Sequence, residues 1–171
     1  MEMKVELLRY PTEEDWMEVK RRALVTVGKQ PVNPPCDLWK HDILNARHSP
    51  IRYLQFSFYL SVPYWVSVHL CRHIHAQPYV RSQRNDRQDA YDRNTAPQGA
   101  EVDMIWDMNA EELMVIANKR LCLQASPETR AAVRWMCREV VSRCPEFEPF
   151  LVPMCEYTGQ CREMKPCGRM G

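Results

Sequence analysis

Residues 53–62 constrain the fold of this chain most strongly, because they form a run rich in aromatic and β-branched side chains. Such a run predicts a buried β-strand. Pro63 follows it and suits the first position of a helix, where the missing N–H is not needed. Residues 64–73 continue this predicted helix. The chain is therefore expected to fold around a buried strand that leads directly into a helix.

Further strand and helix patterns alternate along the chain. The other predicted strands cover residues 3–9 and 102–108. The other predicted helices cover residues 13–27, 37–47, 109–122 and 127–143. Thr12 and Ser126 are suitable N-caps for two of them. Residues 75–99 are polar with alternating charge signs and predict a solvated loop.

These elements predict a single α+β domain over residues 1–171, with a cysteine-bearing tail from about residue 145. The connections between the elements are too irregular for a doubly wound parallel sheet. We therefore predict a mostly antiparallel or mixed sheet flanked by helices. A chain of 171 residues is long enough to bury a sizeable core.

The composition argues against several classes of protein. A formal net charge of +1 does not indicate a general nucleic-acid-binding surface. No apolar run reaches the roughly 18 residues of a membrane-spanning helix, and residues 1–6 lack the layout of a signal peptide. We therefore expect a cytoplasmic protein without membrane or nucleic-acid partners. Because no glycine-rich phosphate loop is present, any nucleotide must be held by side chains and helix ends.

The chain has eight cysteines, and in a reducing compartment these are not expected to form disulfides. Cys155, Cys161 and Cys167 recur at a regular spacing in the predicted tail, and Cys122 lies close to Arg120 in the sequence. One interpretation is a structural metal site of these four thiolates, holding zinc or, as a second choice, an iron–sulfur cluster. The alternative is that the cysteines are packing or surface residues without a metal.

Residues 72–84 carry three arginines, two histidines and one serine directly after the apolar helix. Arginine binds phosphate with two parallel hydrogen bonds, and a serine hydroxyl adds a neutral donor. The segment therefore favours a phosphorylated ligand. The alternative is a solvated charged loop, which the nearby Asp86, Asp89 and Asp92 also favour.

This segment resembles the motif R-H-R-x-x-S-x-N-E-x-S-x-R-Y of the flavin-dependent thymidylate synthase (ThyX) family. Arg72, His73, Ser82 and Arg84 match the motif at the correct spacing, whereas Ile74 replaces its third residue, an arginine. The remaining motif positions that differ are occupied by Gln77, Tyr79, Val80 and Asn85.

A second block of the chain resembles the same family. Residues 108–113 are similar to the family segment M-N-A-R-x-L, and residues 120–130 are similar to its arginine and the following A-Q-W-E-I-R. The two blocks are in register without a gap. The resemblance covers roughly residues 46–168, with only a short connection between Arg84 and Arg93.

The resemblance implies methylation of dUMP at C5 to give dTMP. In this family methylenetetrahydrofolate supplies the carbon, reduced FAD supplies the hydride, and NADPH reduces the flavin again. The protein then contributes positioning and electrostatics rather than a nucleophilic thiol. The resemblance also implies a homotetramer.

The resemblance implies roles for individual residues. Arg120 would be catalytic, because a guanidinium facing the uracil stabilises negative charge on N3 and O2 as C5 becomes nucleophilic. The residues implied in dUMP binding are His69, Ser82, Arg84, Arg93 and Arg120. The residues implied in FAD binding are Ser49, Arg72, His73 and Asn109.

Two other functions remain open at this point. A degenerate homologue would bind a pyrimidine nucleotide without methylating it, in a regulatory or other role in nucleotide metabolism. A nucleic-acid-binding module built on a cysteine–metal site is disfavoured by the neutral charge balance. No pattern in the sequence assigns a role to His41, His48 or His75.

Overall fold

The computed structural model describes residues 3–87 and 92–169. Within these residues the chain forms four strands: β1 (Lys4–Arg9), β2 (Gln55–Pro63), β3 (Gln77–Val80) and β4 (Glu101–Asn109). The same residues form six α-helices: α1 (Glu13–Val25), α2 (Asp37–Asn45), α3 (Tyr64–Leu70), α4 (Ala110–Arg120), α5 (Pro127–Arg143) and α6 (Met154–Thr158). Short 3₁₀ helices cover Ser49–Tyr53, Asn85–Arg87 and Pro145–Phe150.

The strands form one antiparallel sheet in the order β1-β2-β4-β3. The central pair, β2 and β4, is hydrogen-bonded along its whole length, from Gln55 opposite Asn109 to Pro63 opposite Glu101. The α+β fold with a mostly antiparallel sheet is therefore confirmed. No helix in the described part of the chain is long and apolar enough to span a membrane.

The two faces of the sheet differ in their burial. Along β4, Val102, Met104, Trp106 and Met108 point into the core with the helices, and the residues between them are partly or fully exposed. This alternation is typical of an antiparallel sheet with one covered face. On the opposite face, Ile105 retains 41% of its accessible surface.

The prediction of a solvated loop over residues 75–99 is wrong at β3. Residues Gln77–Val80 pair with β4 through Tyr79 opposite Ile105 and Val80 opposite Met104. This is an edge strand, which tolerates a proline such as Pro78 where a central strand does not. The short polar segment forms a strand because β4 offers it a free edge, which a local sequence pattern does not reveal.

Helix starts follow the chemistry of their caps. Thr12 and Asp15 form a reciprocal capping box at the start of α1. Ser126 accepts a hydrogen bond from the backbone N–H of Thr129 at the start of α5. Both predicted N-caps are confirmed.

Asn118 of α4 fixes the C-terminal segment to the domain. This side chain is 1% exposed, and its amide nitrogen donates to the backbone oxygens of Phe150 (3.2 Å) and Val152 (2.7 Å). Its amide oxygen accepts from the guanidinium of Arg47, which follows α2. One buried amide therefore joins three separate parts of the chain.

Replacing Asn118 tests this junction. Asn118→Ala leaves two backbone carbonyls and one guanidinium without their partner, so the free energy of unfolding is expected to fall by about 2–4 kcal/mol. Urea unfolding of this variant and of the exposed-loop control Asn94→Ala measures the difference. Equal unfolding midpoints for the two variants would show that the hydrogen bonds of Asn118 do not contribute to the free energy of unfolding.

Candidate functional site

Arg120, the last residue of α4, is held by two contacts with the segment around α3. Its Nε donates to Nε2 of His73 at 2.9 Å, and its Nη2 donates to the backbone oxygen of His69 at 3.0 Å. Among the described residues Nη1 forms no hydrogen bond. The half-buried guanidinium is therefore anchored on one side and has donors left for a ligand on the other.

His73 lies between Arg120 and a buried carboxylate. Its Nδ1 is 3.3 Å from Oε1 of Glu112, and the two side chains are only 9% and 7% exposed. Because Nε2 accepts from a guanidinium, the neutral ring must carry its proton on Nδ1, and this tautomer is assigned from the contacts. A carboxylate, an imidazole and a guanidinium thus lie in one buried row, with both charged ends supplied by α4.

Burial dominates the electrostatics of this row. It lowers the pKa of His73 to about 4, with the charge of Arg120 as the second cause. Burial also raises the pKa of Glu112. The electrostatic effect of His75 lowers this pKa, and that of Glu111 raises it further. The pKa of Arg120 is lowered, first by burial and then by the charge of Arg72. At neutral pH the imidazole is therefore an uncharged acceptor for the guanidinium of Arg120.

The ring of His69 contacts other residues than Arg120. Its Nδ1 lies 3.4 Å from Oγ1 of Thr129 on α5, and its ring packs edge-on against Trp65 with centroids 5.7 Å apart. His69 therefore meets Arg120 through its backbone. A contact of its ring with a nucleotide stays a prediction.

A cleft of about 390 Å³ opens beside this row. Six residues line it: Arg52, His75, Asn109, Glu111, Glu112 and Val115. Arg52 is paired with Glu111, and Oδ1 of Asn109 accepts from the backbone N–H of Glu112 as the cap of α4. The lining therefore holds two carboxylates and one arginine that already has a partner.

The residues of a single chain do not fit FAD at this cleft. The pyrophosphate of the dinucleotide needs cations and N–H donors, whereas the cleft is lined by Glu111 and Glu112. Of the four residues implied in FAD binding, His73 directs both ring nitrogens to Arg120 and Glu112, and Asn109 uses its oxygen to cap a helix. Ser49 and Arg72 are exposed.

Ser82, Arg84 and Arg93, three of the residues implied in dUMP binding, are exposed. Arg84 forms a two-point ion pair with Asp86, with Nε 2.9 Å from Oδ1 and Nη2 2.6 Å from Oδ2. The backbone N–H of Arg84 donates to Oγ of Ser82. The backbone N–H of Arg93 donates to the side chain of Asn85. Among the described residues, no hydrogen bond or ion pair joins these three residues to Arg120, so the structure brings together only part of the predicted set.

The four cysteines predicted to hold a metal are not brought together. Cys155 is buried, Cys122 and Cys161 are half-buried, and Cys167 is exposed. Within residues 3–87 and 92–169 no three His, Cys, Asp or Glu side chains form a group suited to a metal ion. Among these residues the structure therefore does not assemble the predicted zinc or iron–sulfur site. Asn118 and the buried Phe150 hold the tail instead, so the even spacing in sequence does not become proximity in space.

The low pKa of His73 gives a testable titration. We expect this ring to stay neutral from pH 7 to about pH 5 and to gain its proton only near pH 4, as followed by ¹H–¹⁵N NMR of the imidazole. The unfolded chain binds the same proton near pH 6.5. His73 therefore lowers the free energy of unfolding as the pH falls through this window. A midpoint near 6.5 in the folded protein would contradict the buried row.

Comparison with known proteins gives a family match and structural matches. Residues 87–146, which include Arg120 but not the segment 72–84, match the family model of the thymidylate synthase complementing protein. The fold matches the UMP/dUMP methylase PolB from Streptomyces cacaoi, solved with bound 5-Br dUMP. The TM-score is 0.70 at 13% sequence identity, over 88% of this chain and 97% of that chain.

No curated protein sequence matches this chain significantly. At 13% identity the structural match establishes the fold, while the family model adds the sequence evidence for β4, α4 and α5. The ThyX-like fold and the resemblance to the flavin-dependent thymidylate synthase family are therefore confirmed, the latter over residues 87–146 as a partial family domain.

Proposed function

We propose that this chain binds a uridine monophosphate, dUMP or UMP, and methylates its uracil at C5. The observation that supports this most directly is Arg120: a half-buried guanidinium fixed at two of its nitrogens, with Nη1 available to a ligand. The family match over residues 87–146 and the shared fold with a UMP/dUMP methylase favour the same ligand class.

Arg120 would act on the ring by hydrogen bonding and charge. Methylation replaces the C5 proton of uracil with a methyl group, and C5 becomes nucleophilic as negative charge builds on N3 and O2. A guanidinium aimed at these atoms stabilises that charge without having to reorganise. His73 and the carbonyl of His69 keep the guanidinium in one orientation, which preserves this advantage.

The carbon and the electrons must come from other molecules. The family resemblance implies methylenetetrahydrofolate as the carbon donor, and reduced FAD with NADPH as the source of hydride. Because the cleft of one chain does not fit FAD, we assign the residues of this chain only to binding and orienting the nucleotide.

The phosphate of the nucleotide would be bound by the exposed segment that contains Ser82, Arg84 and Arg93. Arg84 already presents its two donors to a carboxylate, and its hydrogen bond lowers the pKa of Asp86. A phosphate group offers oxygens in a similar arrangement and more charge, so it would replace Asp86 as the partner.

A homotetramer would complete the site. In one chain, no hydrogen bond or ion pair between described residues joins Arg120 to Ser82 or Arg84, so one chain alone does not close the site around a ligand. A second copy packed beside this site would bring further walls and cations to the ligand.

A second candidate function is nucleotide binding without methylation. It is favoured by the two carboxylates that line the cleft beside His73 and by Ile74, which is 83% exposed where the family motif has an arginine. Both features weaken binding of an anionic flavin, and neither affects Arg120.

Substitution of Arg120 tests the proposal. Arg120→Lys loses the planar fork, so we expect dUMP affinity to fall about tenfold and methylation to stop. Calorimetry measures binding, and mass spectrometry of the nucleotide measures methylation with methylenetetrahydrofolate and reduced FAD under anaerobic conditions. The neighbouring Lys119→Gln is the control and should retain both. Wild-type binding without product would favour the second candidate, and no binding of dUMP or UMP would reject both.

Substitution of Arg84 tests the phosphate site. Arg84→Ala is expected to weaken dUMP binding by about 1.5–3 kcal/mol, the scale of a charge-assisted hydrogen bond. Arg87→Ala removes the same charge from an exposed neighbour and is the matched control. Equal losses in the two variants would show that only the net charge of the segment matters.

A further inference from the structure

We propose that Glu112 is a positioning residue for Arg120 and that it acts through His73. The carboxylate keeps the proton of His73 on Nδ1, which leaves Nε2 as the acceptor that orients the guanidinium. This inference rests on the proposed role of Arg120 in nucleotide binding, but its first test needs no nucleotide.

The position of Glu112 is not explained by the needs of its helix. Asn109 already caps α4, and the neighbouring Glu111 interacts with Arg52. Glu112 is instead 6% exposed, and His73 is the partner of its carboxylate among the described residues. Burying a carboxylate is costly unless another group compensates it. The burial therefore indicates a specific interaction.

The donor at Arg120 determines which nitrogen of His73 accepts a hydrogen bond and which carries the proton. Nε of Arg120 can only donate, so Nε2 of His73 must present a lone pair. The carboxyl oxygen Oε1 of Glu112, 3.3 Å from Nδ1, offers an acceptor to a proton on that nitrogen and so disfavours the other tautomer. In the other tautomer, the proton on Nε2 would face the Nε proton of Arg120, and the contact would be lost.

The charges around the row lead to the same conclusion. Arg72 is the second cation near Arg120, while His75 and Glu111 influence Glu112. A half-buried guanidinium that faces another cation gains from a carboxylate on the far side of a neutral ring. Glu112 therefore fixes the tautomer of His73 and also offsets part of the positive charge around Arg120.

The first experiment determines the tautomer in the ligand-free protein. ¹H–¹⁵N NMR at pH 7 is expected to show His73 neutral and protonated on Nδ1. In Glu112→Gln we expect a measurable population of the Nε2-protonated form, whereas the control Glu128→Gln, an exposed acid in the first turn of α5, keeps the wild-type pattern. A wild-type ring protonated on Nε2 would overturn the proposal without any variant, even if Glu112→Gln does not fold.

The second experiment measures coupling in nucleotide binding. Glu112→Gln is expected to weaken dUMP binding about tenfold, while adding it to Arg120→Lys produces no further loss, because the row no longer orients a guanidinium. Effects that multiply in the double variant, or a Glu112→Gln affinity equal to that of the control Glu128→Gln, would overturn the proposal. If the wild-type protein binds neither dUMP nor UMP, the proposed function fails, and the tautomer experiment still decides whether Glu112 positions Arg120 through His73.

Discussion

The antiparallel pairing of β2 with β4 determines where His73 and Arg120 lie. The two strands are in register over their full length, so the chain leaves β2 and β4 at opposite ends of the pair. Helix α3 follows one strand and α4 the other, and both pack on the buried face that carries Trp106. His73 comes after α3 and lies next to Trp106, with ring centroids 6.3 Å apart, where it meets α4. The contact between His73 and Arg120 is therefore a consequence of the strand pairing.

This location sets the electrostatic character of the site. A carboxylate, an imidazole and a guanidinium lie at the edge of an apolar core, where each interaction is stronger than in water and each unpaired group costs more. The ring carries no charge at neutral pH because its burial and Arg120 both oppose protonation. A neutral ring transmits orientation between Glu112 and Arg120 while the two charges stay apart. A guanidinium held in this way keeps its remaining donors in a fixed orientation.

Much of the fold could be predicted from local patterns, because caps and burial periodicity are local properties. Thr12, Ser126 and the aromatic strand at residues 53–62 all identified elements that form. β3 was missed because its strand state comes from pairing with β4 rather than from its own residues. The four cysteines are not brought together for a related reason, since equal spacing in a tail says nothing about the path of the chain. Glu112 was missed because an acid in the first turn of a helix is ordinarily explained by the helix dipole.

The candidate site also shows what a partial motif match can support. His73 and Asn109 match the family pattern, yet each has a partner within the chain: one holds Arg120 and the other caps α4. Folding alone would favour these residues, so they are weak evidence for a flavin. Arg84 and Ser82 differ because they are exposed. Their contacts are with each other and with the exposed Asp86, and neither residue caps a helix or packs in the core. Their match to the motif is therefore better evidence for a phosphorylated ligand than the match of His73 and Asn109 is for a flavin.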